Sequence, residues 1–411
     1  MEARNVYAGG PLPRYLLLSA TLFLLLGGLI MVYSASSVAD FVHQQDSMYH
    51  LKRQALGTLG GVVLMAVAML VDYRRARWAW IAIYGGSLIG LALVFVMGVG
   101  KWGATRWIDL GFFTIQPSEY AKLGCVMVAA LLIQQHRSGR ISSADFWRRL
   151  FGAVGIVALF VMMQPDMGTT FSILLAVFLV LMIGGVDARF LWGGVFVGLV
   201  ALAGAIAMAP YRLRRLFAFL DPWADPLDSG YQSIQAMYAF GSGGLDGVGL
   251  GMSRQKFFYL PAAHTDFIFA IIGEELGFIG SLSVLLAFGV IAYAGVRIAL
   301  GAKDVYGRLL AGGLTALLVT QAIINMAAVT GLVPVTGIPL PFVSFGGSSM
   351  TFTMLCIGVI LSVSTYGART KKRAHVLSKE SASASSAERR GNCRSHLSGV
   401  DGGRSAVRRR A

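Results

Sequence analysis

The chain has 411 residues, of which 56% are hydrophobic and only 13% charged; soluble domains carry roughly 25% charged residues. With a mean hydropathy of +0.67, a set of two or three water-soluble domains, which the length would otherwise suggest, is excluded. The net charge of +15 gathers after Tyr366, where 12 of the 35 Lys and Arg residues fall but only three acids. The body is therefore nearly balanced. Its basic residues read as topology signals and contacts for membrane lipid, and no nucleic-acid partner is implied.

A helix needs about 20 apolar residues to cross hydrocarbon. Runs of that kind lie at 15–35, 55–71, 78–98, 119–135, 150–164, 167–185, 190–209, 267–295, 309–332 and 347–366. As one helix, 150–185 would exceed ~50 Å, so it is divided at Gln164-Pro165-Asp166-Met167-Gly168, where a helix breaker and a turn former meet. The first run resembles a secretory leader, with Arg4 and Arg14 before it and Ala35-Ser36-Ser37 after it. It is too long for the apolar core of a leader, about 7–15 residues, and reads as a retained helix. The expected fold is an all-α polytopic membrane protein: a short N-terminus 1–14, a membrane domain 15–366 of ten transmembrane helices, and a basic tail 367–411 whose composition predicts disorder.

Lys and Arg in short loops set the orientation. With the N-terminus inside, 13 of them face the cytoplasm, against four (Lys52, Arg53, Lys101, Arg106) on the other side. Both termini are then cytoplasmic. Residues 99–118, the 164–168 turn, 331–346 and a large loop 210–266 between helices 7 and 8 are extracytoplasmic. The three cysteines, Cys125, Cys356 and Cys393, form no disulfide framework and have no metal-ligand spacing.

Ionisable groups in or against spans mark functional candidates, and here they gather at the expected outer side. Arg106-Trp107 precedes Gln116-Pro117-Ser118-Glu119, in which Pro117 opens a helix and Glu119 sits in its first turn. Glu119 and Lys122 are spaced to pair; they read either as a structural ion pair or, with Arg106, as a cationic mouth for an anionic substrate. Asp166 is either an N-cap or part of that mouth. The 210–266 loop carries Arg212, Arg214 and Arg215, a glycine cluster from Gly241 to Gly251, then Arg254, Lys256 and His264-Thr265-Asp266. The glycines allow either close backbone approach to a ligand or a loose connection. Asp266 is either a helix N-cap or, beside apolar residues, a carboxylate of raised pKa able to serve as a base. Glu274 and Glu275 lie too far along a helix to form a dyad with it and read as interior partners of a cation or of backbone. The Pro- and Gly-rich, uncharged segment 334–349 suits a re-entrant element. In it Gly346-Gly347-Ser348-Ser349 presents amides at a helix start, which suits a phosphate.

These pieces together resemble the SEDS family (shape, elongation, division and sporulation), the membrane peptidoglycan polymerases. The matching segments are Met31-Val32-Tyr33-Ser34-Ala35-Ser36, Arg106-Trp107-Ile108, Gln116-Pro117-Ser118-Glu119, Gln164-Pro165-Asp166-Met167-Gly168-Thr169, Gly241-Ser242-Gly243-Gly244, His264-Thr265-Asp266-Phe267-Ile268-Phe269, Gly273-Glu274-Glu275-Leu276-Gly277 and 339–349. Tyr33-Ser34-Ala35-Ser36-Ser37 at the end of the first span and Ala263-His264-Thr265-Asp266-Phe267 resemble the division members most, with the elongation members next. One departure stands out: where the family usually has Glu, Pro261 is followed by Ala262.

The resemblance implies an inverting glycosyltransferase that polymerises lipid II on an undecaprenyl-linked glycan and releases undecaprenyl diphosphate. It implies Asp266 as the essential carboxylate and base, and Trp107 as an outer-loop residue needed for activity. Charge and position add Arg106, Glu119, Lys122, Arg212, Arg214, Arg215, Lys256, His264 and Ser348 as candidate substrate contacts. The resemblance also implies a divalent cation, magnesium or manganese, with no ligands assigned. It implies a class B penicillin-binding protein transpeptidase and other divisome membrane proteins as partners, in the bacterial cytoplasmic membrane at the septum. A lipid II flippase and a scaffold are the competing classes; the one-sided clustering of charge and the lack of an inverted repeat favour the enzyme.

Overall fold

The computed structural model describes residues 11–366, except 102, 103, 110, 112, 113, 208 and 209. Contacts divide the chain into Met1–Ser364 and Thr365–Ala411, and all that follows concerns the first unit. The tail, expected to be disordered, lies outside the described residues.

The helices are α1 (Leu12–Gln44), α2 (Tyr49–Leu70), α3 (Ala79–Met97), α4 (Pro117–Arg137), α5 (Ser143–Met163), α6 (Met167–Ile183), α7 (Ala188–Ala207), α8 (Pro210–Leu220), α9 (Tyr231–Gly243), α10 (Ile268–Glu275), α11 (Gly277–Gly301), α12 (Val305–Val329) and α13 (Gly347–Tyr366). Six of them, α1, α2, α5, α11, α12 and α13, are long and apolar enough to cross a membrane, and α6 and the Ile81–Met97 part of α3 are shorter apolar helices. The protein is a polytopic membrane protein. Helix α4 is largely buried yet polar near its start, where Glu119 and Lys122 ride on it, each 1% exposed. It packs against α3, α5, α6 and α12, so these groups are covered by protein rather than by lipid.

Three sequence expectations are corrected. The run 267–295 is not one helix: it breaks between α10 and α11 at Gly277, whose φ is +65°. The glycine-rich loop docks in that break. Phe278 N donates to Gly244 O at 2.9 Å and Val248 N to Glu274 O at 2.9 Å, and a side chain at Gly277 would collide with Leu245 and Gly247 backbone. The glycine cluster is thus a docked segment, not a loose connection. The 210–266 stretch is not a plain loop either: it holds α8, a 3-10 turn at Pro222–Ala224, and α9. Finally, 99–118 contains a small antiparallel sheet of β1 (Val99–Lys101), β2 (Ala104–Asp109) and β3 (Thr114–Ile115). Pairing Ile108 with Ile115 delivers the chain to Pro117 at the start of α4.

The non-helical segment 331–346 runs through the interior, with Ile338, Leu340, Phe342 and Val343 all buried. Exposed backbone at that depth would be costly. Side-chain amides from two helices satisfy it. Gln54 of α2 donates to Ser344 O (3.2 Å) and accepts from Gly346 N (3.0 Å). From α12, Asn325 donates to Ile338 O and Asp266 O, both at 2.8 Å, and Gln321 donates to Pro339 O at 3.2 Å. Phe345 N reaches His264 O at 2.9 Å. The re-entrant segment and the strand of chain that bears Asp266 are therefore held as one unit.

Candidate active site

That unit walls one end of a cavity of about 1820 Å³. One wall is apolar: Leu56, Leu59, Val63 and Leu64 recur at helical spacing along α2, facing Phe171 and Leu175 of α6 and Ile324 of α12. From Tyr49 to Leu64 this groove follows α2 for roughly 22 Å. The other end is polar, lined by His50, Arg53, Arg106, Trp107, Glu119, Asp166, Arg215, His264, Asp266, Thr336 and Ser348. A long apolar groove ending in cations and a carboxylate has the shape and charge to hold a lipid with an anionic head.

Asp266 is half-buried at the cavity wall. It does not cap α10, whose N-cap is Phe267 and lacks a side-chain cap. Thr265 Oγ1 instead donates to Asp266 Oδ1 at 2.9 Å. Burial pushes the Asp266 carboxyl above the usual carboxylate range, while the Thr265 hydroxyl and the charge of Arg215 pull it part of the way back. Burial, then the charge of His50, pushes the His264 imidazole down to about 4, so it is neutral at physiological pH. A carboxylate of raised pKa is a better proton acceptor than an exposed one.

Asp166 does both things that its sequence allowed. It caps α6 by accepting from Thr169 N at 3.1 Å, and it lies 3.8 Å from Arg106 at the cavity. Arg106 also donates to the Gln164 carbonyl at 3.3 Å and the Pro165 carbonyl at 2.5 Å. The β2 strand is thereby pinned over the α5–α6 turn, with Trp107 beside it. Ser348 ties two elements together: its hydroxyl donates to Thr114 O at 2.6 Å and accepts from Gln116 N at 2.9 Å.

Three candidate contacts are placed elsewhere. Lys256 does not line the cavity. Its ammonium is spent on Glu275 (3.3 Å) and the Gly251 carbonyl, because Glu275 needs a counter-charge where it is fully buried. Lys122 is 1% exposed and bridges Glu119 (2.8 Å) and Gln321 (2.9 Å) beneath the cavity floor. It therefore reaches the site through Glu119 and Gln321 rather than directly. Arg214 is exposed and is not part of the lining, and the Arg212 side chain lies outside the described residues. Glu274 and Glu275 behave as interior partners. Glu275 accepts from Ser34 at 2.7 Å, and Glu274 accepts from the Ser253 hydroxyl and from Arg254 N. The sequence reading missed His50, Arg53 and Thr336 as lining residues. Only Arg53 carried a signal, as one of the few outer-side cations.

Among the described residues no three His, Cys, Asp or Glu side chains stand together where they could hold a metal ion. Asp266 and Asp166 both line the cavity.

A helical membrane protein with a cavity of this kind, apolar along its length and ionisable at one end, has a site suited to lipid-linked substrates. The family of FtsW, RodA and SpoVE, the cell cycle proteins, matches residues 15–369, and the chain belongs to it. Stage V sporulation protein E of Bacillus subtilis is 45% identical over 367 residues, 86% of this chain and 97% of that protein. The probable peptidoglycan glycosyltransferase FtsW of Geobacter sp. strain M18 is 44% identical over 346 residues, 82% of this chain and 93% of its own length. Among solved structures, a chain of a peptidoglycan synthase complex that coordinates polymerization and crosslinking superposes with a TM-score of 0.70 at 28% identity, covering 88% of this chain and 98% of its own. Thermus thermophilus RodA, a rod shape determining protein, superposes with a TM-score of 0.63 at 27% identity, over 88% of this chain and 98% of its own.

Proposed function

We propose that the chain is a peptidoglycan glycosyltransferase of the division type that polymerises lipid II. The observation that carries the reading is the Asp266 carboxyl, pushed up by burial, at the ionisable end of a cavity whose remaining length suits a polyprenyl chain. In the reaction, the 4-hydroxyl of the acceptor sugar attacks the anomeric carbon of the growing glycan. The bond from that carbon to the diphosphate oxygen breaks, undecaprenyl diphosphate leaves, and the configuration inverts. Asp266 takes the hydroxyl proton. Arg53, Arg106 and Arg215 line the same end and stabilise the negative charge of the leaving diphosphate. Trp107 packs beside the acceptor. Family membership and the names of the FtsW relatives support this chemistry.

The same reading gives ten membrane spans, with α4 and α7 among them, both termini in the cytoplasm, and the cavity's polar end and the 210–266 segment outside. It places the protein at the septum beside a class B penicillin-binding protein and other divisome membrane proteins. The synthase complex, which couples polymerization to crosslinking, supports such a partner. Any divalent cation enters with the diphosphate of the substrate. The test is conversion of purified lipid II in detergent, where flipping has no meaning, by the chain with its class B partner. Glycan strands support the reading. No strands in detergent, with lipid II movement in proteoliposomes, would replace it by the flippase.

A further inference from the structure

The polar end of the cavity contains a pair that the mechanism above does not use. Asp40 lies near the end of α1 with its carboxylate wholly buried. It accepts from the Ser36 hydroxyl at 2.9 Å, from His50 N at 3.0 Å, and from His50 Nδ1. Three donors converge on this one carboxylate. A buried carboxylate also needs a partner, and among the described residues the His50 imidazole is the one basic side chain at ion-pair distance from it. With Nδ1 fixed on Asp40, Nε2 is turned to the opposite side of the ring. The His50 side chain is 22% exposed and lines the cavity. Its ring is also fixed laterally, by His264 (centroids 4.6 Å apart) and Phe345 (4.5 Å). Arg53, one turn further along α2, lines the cavity beside it.

Resting on the function proposed above, we infer that His50, oriented by Asp40, is a substrate-binding residue. It donates from Nε2 to the diphosphate of the lipid-linked substrate. The charged and titratable groups around it are Asp40 from α1, Tyr49 and Arg53 on its own helix, and His264 from the segment before α10. Asp46 and Lys52 pair with each other at 2.7 Å on the exposed side. His264 is neutral and so does not compete for the anion. Imidazolium, unlike the Lys or Arg cation, is lost within the physiological pH range, so a contact through it has an alkaline limb that a Lys or Arg contact would not produce.

The experiment measures both turnover and binding. Polymerisation by the full chain with its class B partner is followed from pH 5.5 to 9 for wild type, His50→Gln, His50→Lys and Asp40→Asn. In parallel, farnesyl diphosphate is titrated as a probe by thermal shift, with farnesol as the control lacking phosphate. The expected result for His50→Gln is a KM raised about five- to tenfold, a kcat within about twofold, and no alkaline limb. His50→Lys keeps a low KM and moves the limb to higher pH. Farnesyl diphosphate stabilises wild type more at pH 6 than at pH 8, and His50→Gln removes the difference. If the pair only ties α1 to α2, the variants lower the melting temperature and leave KM, pH profile and probe binding as in wild type. That outcome overturns the inference, as does His50→Lys behaving like His50→Gln. The binding arm needs no turnover, so an inactive wild type would count against the proposed function without deciding the role of His50.

Discussion

Asp266 is a residue whose environment works against folding and in favour of chemistry. A carboxyl raised by burial holds its proton more tightly in the folded chain than in the unfolded one, so its ionisation above about pH 4 costs stability. Asp266→Asn removes that cost, and we expect a melting temperature equal to or above wild type in a protein that makes no glycan. In the wild type, kcat/KM should rise with pH as the carboxylate forms, with an acid limb above the ordinary carboxylate range; a profile from pH 4 to 9 checks it. Lys122 and Glu119 are the opposite case. Each is 1% exposed, and Lys122→Met strands a buried carboxylate, at a cost of ~3–5 kcal/mol. The double change Lys122→Met with Glu119→Gln should recover most of that loss in chemical denaturation. Asp266 was legible in the sequence, as a carboxylate where a polar stretch enters an apolar one. His50 was not: nothing in Tyr49-His50-Leu51 shows that Asp40, a turn and a helix end away, is folded back against it.

At the level of elements, the site depends on amides that satisfy the re-entrant segment. Gln54→Leu leaves Ser344 O and Gly346 N without their partner, and each unpaired buried group costs ~1–3 kcal/mol. We expect a lower melting temperature and at least about tenfold less polymerisation, because the same segment carries the His264 hydrogen bond. Gly168 sets a second close approach: a Cβ there would stand 2.5 Å from the Thr336 carbonyl oxygen, so Gly168→Ala should displace the segment and lower activity more than stability. The apolar runs of α1, α2, α5, α11, α12 and α13 could be read from hydropathy because lipid demands them. The break at Gly277 could not. Glu274 and Glu275 precede it, but the runs beyond them are apolar enough to read as one span, and it is the docking of the Gly244–Gly249 loop against Glu274 and Glu275 that requires the chain to turn. The helices within 210–266 were hidden for a related reason: α8 is short and carries three arginines, and α9 is rich in glycine at its end.

For the molecule as a whole, function requires that the polar end of the cavity open to the outer face. Cysteine labelling tests this. In a background with Cys393→Ser, Leu227→Cys, which is 88% exposed, should react with an impermeant maleimide in intact cells. Arg140→Cys, in the exposed turn between α4 and α5, should react only after permeabilisation; the native Cys125 and Cys356 are buried and stay silent. The one-ended arrangement also separates roles: cations and carboxylate at one end for the sugar and diphosphate, and apolar helix faces along the rest for the lipid. The central claim is that this cavity polymerises lipid II with Asp266 as its base. The direct measurement is glycan strand formation from purified lipid II by the full chain with its class B partner, wild type beside Asp266→Asn, both shown to be folded by their melting temperatures. The account predicts strands from wild type and none from Asp266→Asn; strands made at equal rates by both would contradict it.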